Sequence, residues 1–168
     1  MLLDLGCGLG GTIRYLAATV GCDVVKMDLT EAYYRVAEIL SARVGLAERT
    51  VFRQGSSLAL PIGDRHFDVI WTKYVQMNVV DKARFYGEIA RVLKPGGQLA
   101  FHDVFAGASD GVEFPVPWAA DASISHLIGV TDLQALMLDL GLARVGRTIP
   151  TRRWPSSIQC SNVWRPKG

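Results

Sequence analysis

The chain has few cysteines, a nearly balanced charge and no long apolar run. Its 168 residues include three cysteines, an odd number without the close spacing of a metal-binding set: Cys7, Cys22 and Cys160. A formal net charge of +2 is too small to indicate nucleic-acid binding. No apolar run reaches the ~20 residues that cross a bilayer, and no secretory signal is visible. These absences predict a cytoplasmic protein with reduced thiols and with no metal, nucleic-acid or membrane partner.

Length and composition are those of an ordinary globular protein. Hydrophobic residues make up 49% of the chain and charged residues 20%. A chain of this size buries roughly 70% of the surface that its unfolded form exposes. Neither an internal repeat nor a linker divides the sequence, so we expect a single domain over residues 1–168.

Hydrophobic periodicity predicts alternating strands and helices, the pattern of a parallel α/β sheet with helices on both faces. We expect strands at 1–5, 23–28, 50–54, 67–74 and 98–104, then an antiparallel pair at 142–149 and 157–164, with Pro150 and Pro155 bracketing their connection. We expect helices at 12–20, from a Thr30 cap to Gly45, from an Asp81 cap to about Leu93, and from a Thr131 cap to Gly141. Residues 105–126 form a long loop, which in a compact protein is more often functional than neutral.

The most informative stretch is residues 2–11, Leu-Leu-Asp-Leu-Gly-Cys-Gly-Leu-Gly-Gly. An apolar strand runs into crowded glycines, and Thr12 then opens a helical pattern. Glycines let the backbone approach a nucleotide-like ligand that side chains would block. The following helix points its N-terminal N–H groups at such a ligand.

The glycines alone leave the ligand open. Gly6, Gly8 and Gly11 fit the dinucleotide signature G-x-G-x-x-G. Asp4 followed by Gly6, Gly8 and Gly10 resembles motif I of the class I methyltransferases that depend on S-adenosylmethionine (SAM). Asp4 favours the second interpretation, because a carboxylate attracts the sulfonium and ammonium of SAM and repels a pyrophosphate. An NAD-dependent oxidoreductase is the weaker alternative.

Further segments carry the same resemblance as far as about Leu142. Asp28 ends the second strand, close to the offset at which an acidic residue binds ribose hydroxyls in both families. Residues 67–71 and 91–99 are similar to strand 4 and to the segment before strand 5 of the methyltransferases. The sarcosine/dimethylglycine and quinone-biosynthesis enzymes are the most similar group. Residues 72–75 do not form the Asn-Pro-Pro-Tyr or Asp-Pro-Pro-Tyr tetrapeptide, which argues against methylation of DNA or protein glutamine.

The resemblance implies a doubly wound, mostly parallel, seven-stranded Rossmann-like sheet with an antiparallel C-terminal strand. It also implies transfer of a methyl group from SAM to a small-molecule acceptor by in-line displacement. Relatives carry an N-terminal cap segment before motif I, and this sequence begins at the first strand. A SAM-binding module or truncated fragment without catalytic activity is therefore the alternative, and a homo-oligomer in which another copy completes the cap is a further expectation.

The resemblance also implies a set of cofactor-binding residues. Asp28 would hold both ribose hydroxyls, since a carboxylate offers two acceptor oxygens; a helix N-cap is its other interpretation. Ser56 stands where many relatives carry an aspartate for the adenine amino group, so that contact weakens or moves to Ser57 or to the backbone. Asp4 stabilises the loop in either case, and Met27 and Leu29 sandwich adenine or belong to the core. The full set is Asp4, Gly6, Gly8, Gly10, Met27, Asp28, Leu29, Ser56, Ser57, Leu58 and Thr72.

The acceptor side is less defined. His102 and Asp103 end strand 5 and are the catalytic candidates, because an imidazole there can take a proton near neutral pH. A structural histidine at a strand end is the alternative. Tyr74, Trp118 and His126 are the candidates for the acceptor pocket, with core packing as the alternative for Trp118.

Overall fold

A computed structural model describes residues 1–107, 111–145, 149–154 and 157–167. Strands and helices alternate through most of the chain, as the periodicity predicts. The strands are β1 (Leu2–Leu5), β2 (Val24–Asp28), β3 (Thr50–Gln54), β4 (Phe67–Lys73), β5 (Leu93–Ala106), β6 (Leu142–Arg144), β7 (Ile149–Trp154) and β8 (Ser157–Pro166). The helices are α1 (Gly11–Val20), α2 (Glu31–Arg43), α3 (Lys82–Val92) and α4 (Val130–Asp139), with 3-10 turns at Ala47–Arg49, Gln76–Asn78 and Ala122–Ile124.

The strands form one mixed sheet in the order β3-β2-β1-β4-β5-β8-β6, and β7 also pairs with β8. Strands β1 to β5 are parallel, whereas β8 is antiparallel to β5, β6 and β7. The predicted doubly wound sheet with an antiparallel C-terminal strand is confirmed. Because β1 lies between β2 and β4, the strand order reverses there, and ligands bind at such a point in open α/β sheets.

Apolar side chains cover both faces of the sheet, because successive residues of a strand point to opposite sides. On one face Leu3 and Leu5 pack in a core with residues of α3 and α4, including Phe85 and Met137. On the other face, Val24 packs with Ile13 and Ala17 of α1, and Leu2 joins them. Among the described residues, no helix combines the length and the apolar character needed to cross a bilayer.

Several boundaries differ from the sequence prediction, and the strand predicted at 142–149 is found as the shorter β6, Leu142–Arg144. Helix α4 begins at Val130 with Gly129 as its N-cap, two residues before the predicted cap Thr131. Strand β5 begins at Leu93, because Leu93 pairs with Phe67 before the register shifts. Strand β7 includes Pro150, which the sequence assigned to a connection. An edge strand tolerates proline because one side of its backbone needs no partner.

Candidate functional site

A cavity of about 720 Å³ lies at the carboxyl ends of β1, β2, β3 and β4, where the strand order reverses. Predicted site residues that line it are Gly6, Gly8, Met27, Asp28, Leu29, Ser56, Ser57, Leu58 and Tyr74. Lys73, which follows Thr72 at the end of β4 and was also expected at the floor of the site, lines it as well. The other lining residues were not predicted: Leu5, Cys7, Thr30, Tyr33, Gly55, Val75, Asn78, Val79 and Val80. The volume and the mainly apolar lining with a few polar groups are typical of a small-molecule site.

The glycine turn forms one wall of this cavity. Gly6 has a φ of +76°, and a Cβ there would lie 2.4 Å from Cγ2 of Val75, so only glycine fits without a shift of its neighbour. Gly8 also has a positive φ, of +49°, but a Cβ on it would meet no protein atom within 4 Å. A side chain at Gly8 would therefore occupy space that is open to a ligand.

Asp28 fixes the turn from the end of β2. Its Oδ2 accepts a hydrogen bond from the backbone N–H of Gly8 at 2.8 Å. Its Oδ1 accepts one from the N–H of Thr30 at 2.9 Å. Each carboxylate oxygen can accept a second hydrogen bond, so the half-buried side chain keeps acceptor capacity for a ligand.

The wall beside Asp28 is apolar. Met27 is buried and lies under Gly55, where a Cβ would come within 2.9 Å of its Sδ. Leu29 is 70% exposed at the rim. Ser56 Oγ accepts a hydrogen bond from Leu58 N at 3.2 Å, so this hydroxyl helps to shape its own turn.

Asp4 lies outside the cavity lining, buried in β1 beside Lys26 of β2. Burial raises the pKa of Asp4 to about 7, while the Lys26 charge opposes the rise and the Asp28 charge adds to it. Lys26 is itself buried, donates to Ser41 Oγ at 3.2 Å and lies 4.4 Å from the ring centroid of Phe52. Burial and the Arg14 charge lower the pKa of Lys26 to about 8. Asp4 thus sits beneath the turn as part of a buried charged cluster.

Gly10 and Thr72 also lie outside the lining. Gly10 caps α1 with a φ of +72°. Thr72 is fully buried on β4, and its Oγ1 has no hydrogen-bond partner within the described part of the chain.

Tyr74 stands at the opposite end of the cavity, directly after β4. Its φ of +58° is unusual for a residue other than glycine, and such backbone conformations cluster at functional sites. Its hydroxyl lies 3.2 Å from Nε2 of His102, and the two rings meet edge to face with centroids 5.2 Å apart. The Tyr74 N–H also donates to the His102 carbonyl at 3.0 Å.

Asp103 has a different environment from His102, since neighbouring residues of a strand point to opposite faces. Asp103 is fully buried and accepts hydrogen bonds from the backbone N–H groups of Val75 and Gln76, both at 3.0 Å, and from Met77 at 3.4 Å. Burial raises its pKa to about 6, against the opposing effect of these bonds. Asp103 therefore holds the turn after β4 and does not line the cavity.

The loop that carries Trp118 and His126 is attached to the same turn. Asn78 Nδ2 donates to the carbonyls of Trp118 at 2.9 Å and Ile124 at 2.7 Å. His126 N donates to the Met77 carbonyl at 2.7 Å. Neither Trp118 nor His126 lines the main cavity, and a second cavity of about 310 Å³ lies under this loop.

A family of methyltransferase domains matches residues 3–101, more than half of the chain. The chain belongs to this methyltransferase domain family. The family that the glycine turn and Asp28 predicted is thereby confirmed. Among the described residues of this methyltransferase domain, no three His, Cys, Asp or Glu side chains group as metal ligands would.

Several methyltransferases are similar in sequence. The glycine/sarcosine/dimethylglycine N-methyltransferase of Actinopolyspora halophila is 38% identical over 108 residues, which are 64% of this chain and 19% of that protein. The chloroplastic tocopherol O-methyltransferase of Arabidopsis thaliana is 33% identical over 118 residues, 70% of this chain and 34% of that protein. The methyltransferase domain described here thus spans about a fifth to a third of the length of these relatives.

Solved structures share the fold. A SAM-dependent methyltransferase of Methanosarcina mazei aligns with a TM-score of 0.81 and 22% identity, over 98% of this chain and 91% of that one. Geranyl diphosphate C-methyltransferase of Streptomyces coelicolor A3(2) aligns with a TM-score of 0.84 and 17% identity, over 99% and 70%.

Several lining residues of the methyltransferase domain were missed because no motif marks them. Tyr33 lies in the first turn of α2, and its place in the helix that directly follows Asp28 was a usable signal. Asn78 lies in the 3-10 turn after β4, where only the nearby strand end indicated a site. Side chains at the carboxyl end of a strand beside the reversal of strand order are all candidates for the ligand site, because ligands bind there.

Proposed function

We propose that this methyltransferase domain binds SAM in the 720 Å³ cavity and transfers its methyl group to a small-molecule acceptor. The observation that carries the proposal is the hydrogen bond between Gly8 N and Asp28 Oδ2, which joins a glycine turn to a carboxylate beside an apolar wall. Membership of the methyltransferase domain family supports it.

The residues of the cavity fit this cofactor in three parts. Asp28 would accept hydrogen bonds from the ribose hydroxyls through its remaining lone pairs. Met27 and Leu29 would enclose the adenine ring, with Ser57 and Leu58 at its edge. Gly6 and Gly8 would leave room for the methionyl part, since a Cβ on Gly8 would meet only open space.

Charge also favours a cationic ligand at this end. The carboxylate of Asp28 lines the cavity, whereas Asp4 lies outside the lining, buried beside Lys26, and contributes less because burial raises its pKa to about 7. When bound, SAM supplies a methyl group that a positively charged sulfur has already activated. The protein then needs chiefly to position and desolvate the acceptor. Such positioning can lower the activation free energy of the transfer by about 7–11 kcal/mol.

Isothermal titration calorimetry with SAM, S-adenosylhomocysteine and NADH tests the proposal. We expect both sulfur nucleosides to bind and NADH not to bind. Binding of NADH without either sulfur nucleoside would instead favour the oxidoreductase. The comparison is decisive because all three ligands carry an adenosine and differ in the charge next to the glycine turn.

A SAM-binding module without catalysis is the second candidate, and the openness of the cavity favours it. Leu29 is 70% exposed, Tyr33 51% and Val80 73%, so apolar side chains at the rim face solvent. Transfer of a labelled methyl group to a panel of amines, phenols and quinones separates the two candidates. Tight SAM binding with no transfer to any acceptor supports the module.

We further propose a cytoplasmic location and a homo-oligomer. Cys7 and Cys22 are both unpaired, as expected where thiols stay reduced. The exposed apolar rim is the surface that a second copy would cover. Sedimentation equilibrium tests the assembly: a mass independent of concentration and equal to one chain would contradict it.

A further inference from the structure

The part of the cavity wall formed by the end of β4 and the residues after it contains three polar side chains, those of Lys73, Tyr74 and Asn78. We call its lining residues the acceptor wall: Lys73, Tyr74, Val75, Asn78, Val79 and Val80. None of them is acidic, and the one carboxylate among the described lining residues is Asp28, at the end of β2. The acceptor wall therefore offers a cation, a phenol and an amide, but no anion.

The positive charge of Lys73 lies next to Tyr74. Lys73 Nζ is 5.4 Å from the centroid of the Tyr74 ring, a distance typical of a cation–π contact. An ammonium acceptor would have to approach this charge without a carboxylate to compensate for it. An acceptor that carries negative charge as it reacts would instead be stabilised there.

Tyr74 connects the cavity to His102. Tyr74 lines the cavity and is 41% exposed, whereas His102 is half-buried behind it and does not line the cavity. The 3.2 Å separation between Tyr74 Oη and His102 Nε2 allows a proton to pass between them. Burial and the Lys73 charge both lower the pKa of His102, so its ring is neutral at pH 7 and can accept a proton.

We infer that Tyr74 and His102 form a proton relay for an acceptor with a weakly acidic hydroxyl, such as a phenol or an enol. This inference rests on the proposed methyl transfer and assigns its acceptor class. Tyr74 is the group that would contact the acceptor, and His102 would act through it. Lys73 would stabilise the negative charge that develops on the acceptor oxygen.

The acceptor oxygen forms a bond to the methyl carbon while the carbon–sulfur bond breaks, and the sulfur keeps that electron pair. The hydroxyl proton passes to Tyr74 Oη, and the proton of Tyr74 passes to His102 Nε2. The half-buried imidazolium then releases its proton to solvent.

The ionisation of a bound phenol tests the relay without turnover. The probe is 4-nitrophenol, whose phenolate absorbs visible light, added to protein saturated with S-adenosylhomocysteine. We expect the pKa of the bound probe to fall by about one to three pH units, because the Lys73 ammonium and the imidazolium formed when His102 takes the proton both stabilise the phenolate. In Tyr74→Phe and in His102→Gln we expect a partial return towards the pKa of the free probe, since both variants lose the imidazolium and keep Lys73.

These two variants remove proton transfer and keep the packing. Phenylalanine retains the ring of Tyr74, and glutamine at position 102 retains a hydrogen-bond acceptor that cannot take a proton. Tyr15→Phe and His66→Gln are matched controls, because both residues are exposed and neither lines the cavity. We expect the two controls to leave the pKa of the bound probe unchanged.

The outcomes separate this inference from the proposed function. Failure of S-adenosylhomocysteine to bind overturns the proposed function itself. If S-adenosylhomocysteine binds but 4-nitrophenol does not, or binds only as the neutral phenol, the relay is wrong and the proposed function stands. A lowered pKa that persists undiminished in both Tyr74→Phe and His102→Gln also overturns the relay.

Discussion

Gly8 donates its backbone N–H to Oδ2 of Asp28 across 2.8 Å, although 20 residues separate them in sequence. This bond joins the turn after β1 to the end of β2, so the two elements form one continuous wall of the cavity. The parallel register of β1 and β2 makes the contact possible, since it places Leu5 beside Met27. A substitution at either residue should therefore weaken ligand binding.

Replacing Asp28 by asparagine should weaken SAM binding by about 1–3 kcal/mol, the usual value of hydrogen bonds to a charged group. The amide keeps the size of the side chain but offers only one acceptor oxygen. Isothermal titration calorimetry measures the change, and Asp23→Asn, an exposed aspartate just before β2, is the control. An affinity equal to that of the wild type would exclude Asp28 from the binding site.

Alanine at Gly6 and at Gly8 should separate folding from binding. Both positions have positive φ, which costs a residue with a Cβ about 1–2 kcal/mol. Only Gly6→Ala adds a contact with Val75, at 2.4 Å, so we expect it to lower the unfolding temperature more than Gly8→Ala does.

For Gly8→Ala we expect a folded protein with little affinity for SAM, because its methyl group enters the open space of the cavity. Thermal unfolding and calorimetry on both variants give the two measurements. Undiminished SAM binding by Gly8→Ala would show that the turn does not contact the ligand.

Asp4 should make stability depend on pH. Its pKa is raised from 3.8 to about 7 by burial, so between these values the folded protein holds a proton that the unfolded chain releases. The contribution of Asp4 to stability is therefore complete below about pH 4 and is lost as the pH rises to 7.

The Asp4→Asn variant should lack this dependence. Its stability relative to the wild type should increase between pH 4 and pH 7 by on the order of 4 kcal/mol, since each pH unit contributes about 1.4 kcal/mol. Urea unfolding of both proteins across this range measures the difference. A constant difference between them would mean that Asp4 ionises in the folded protein at its ordinary pKa.

Asp103→Asn should destabilise the fold by about 2–4 kcal/mol. Its carboxylate accepts hydrogen bonds from four backbone N–H groups, and an asparagine amide group would turn a donor towards some of them. Asp139→Asn, on the exposed surface of α4, should change stability by less than about 0.5 kcal/mol.

The same experiment distinguishes the two roles of Asp103. If the residue only positions the turn after β4, the variant should lose unfolding free energy in the absence of any ligand. If stability is unchanged and methyl transfer alone is lost, the predicted catalytic role would be supported.

Much of the fold was predictable because hydrophobic periodicity, helix caps and glycine positions indicate the same strands and helices along the chain. Strand β3 has the predicted bounds, and Asp81 caps α3 by accepting a hydrogen bond from Arg84 N at 2.9 Å, as the sequence indicated. The start of α4 was missed, since Gly129 caps it through its backbone without a side-chain hydrogen bond. Pro150 was read as a break, because only the sheet order reveals that β7 lies at an edge.

The lining residues of the cavity were largely predictable on the proposed cofactor side and much less so at the acceptor wall. Gly8 and Asp28 follow from a motif and a spacing. The Tyr74–His102 pair depends on the register that places Lys73 beside His102 and on the left-handed backbone of Tyr74, neither of which the sequence encodes as a pattern. The alternation of a strand was a signal that His102 and Asp103 face opposite sides, but the sequence analysis grouped both as catalytic candidates.

A crystal structure of the protein soaked with S-adenosylhomocysteine tests the central claim most directly. We expect the nucleoside in the 720 Å³ cavity, with its ribose hydroxyls on the carboxylate of Asp28 and its adenine beside Met27. A cavity that stays empty at saturating ligand, or that takes up NADH in its place, would contradict the account.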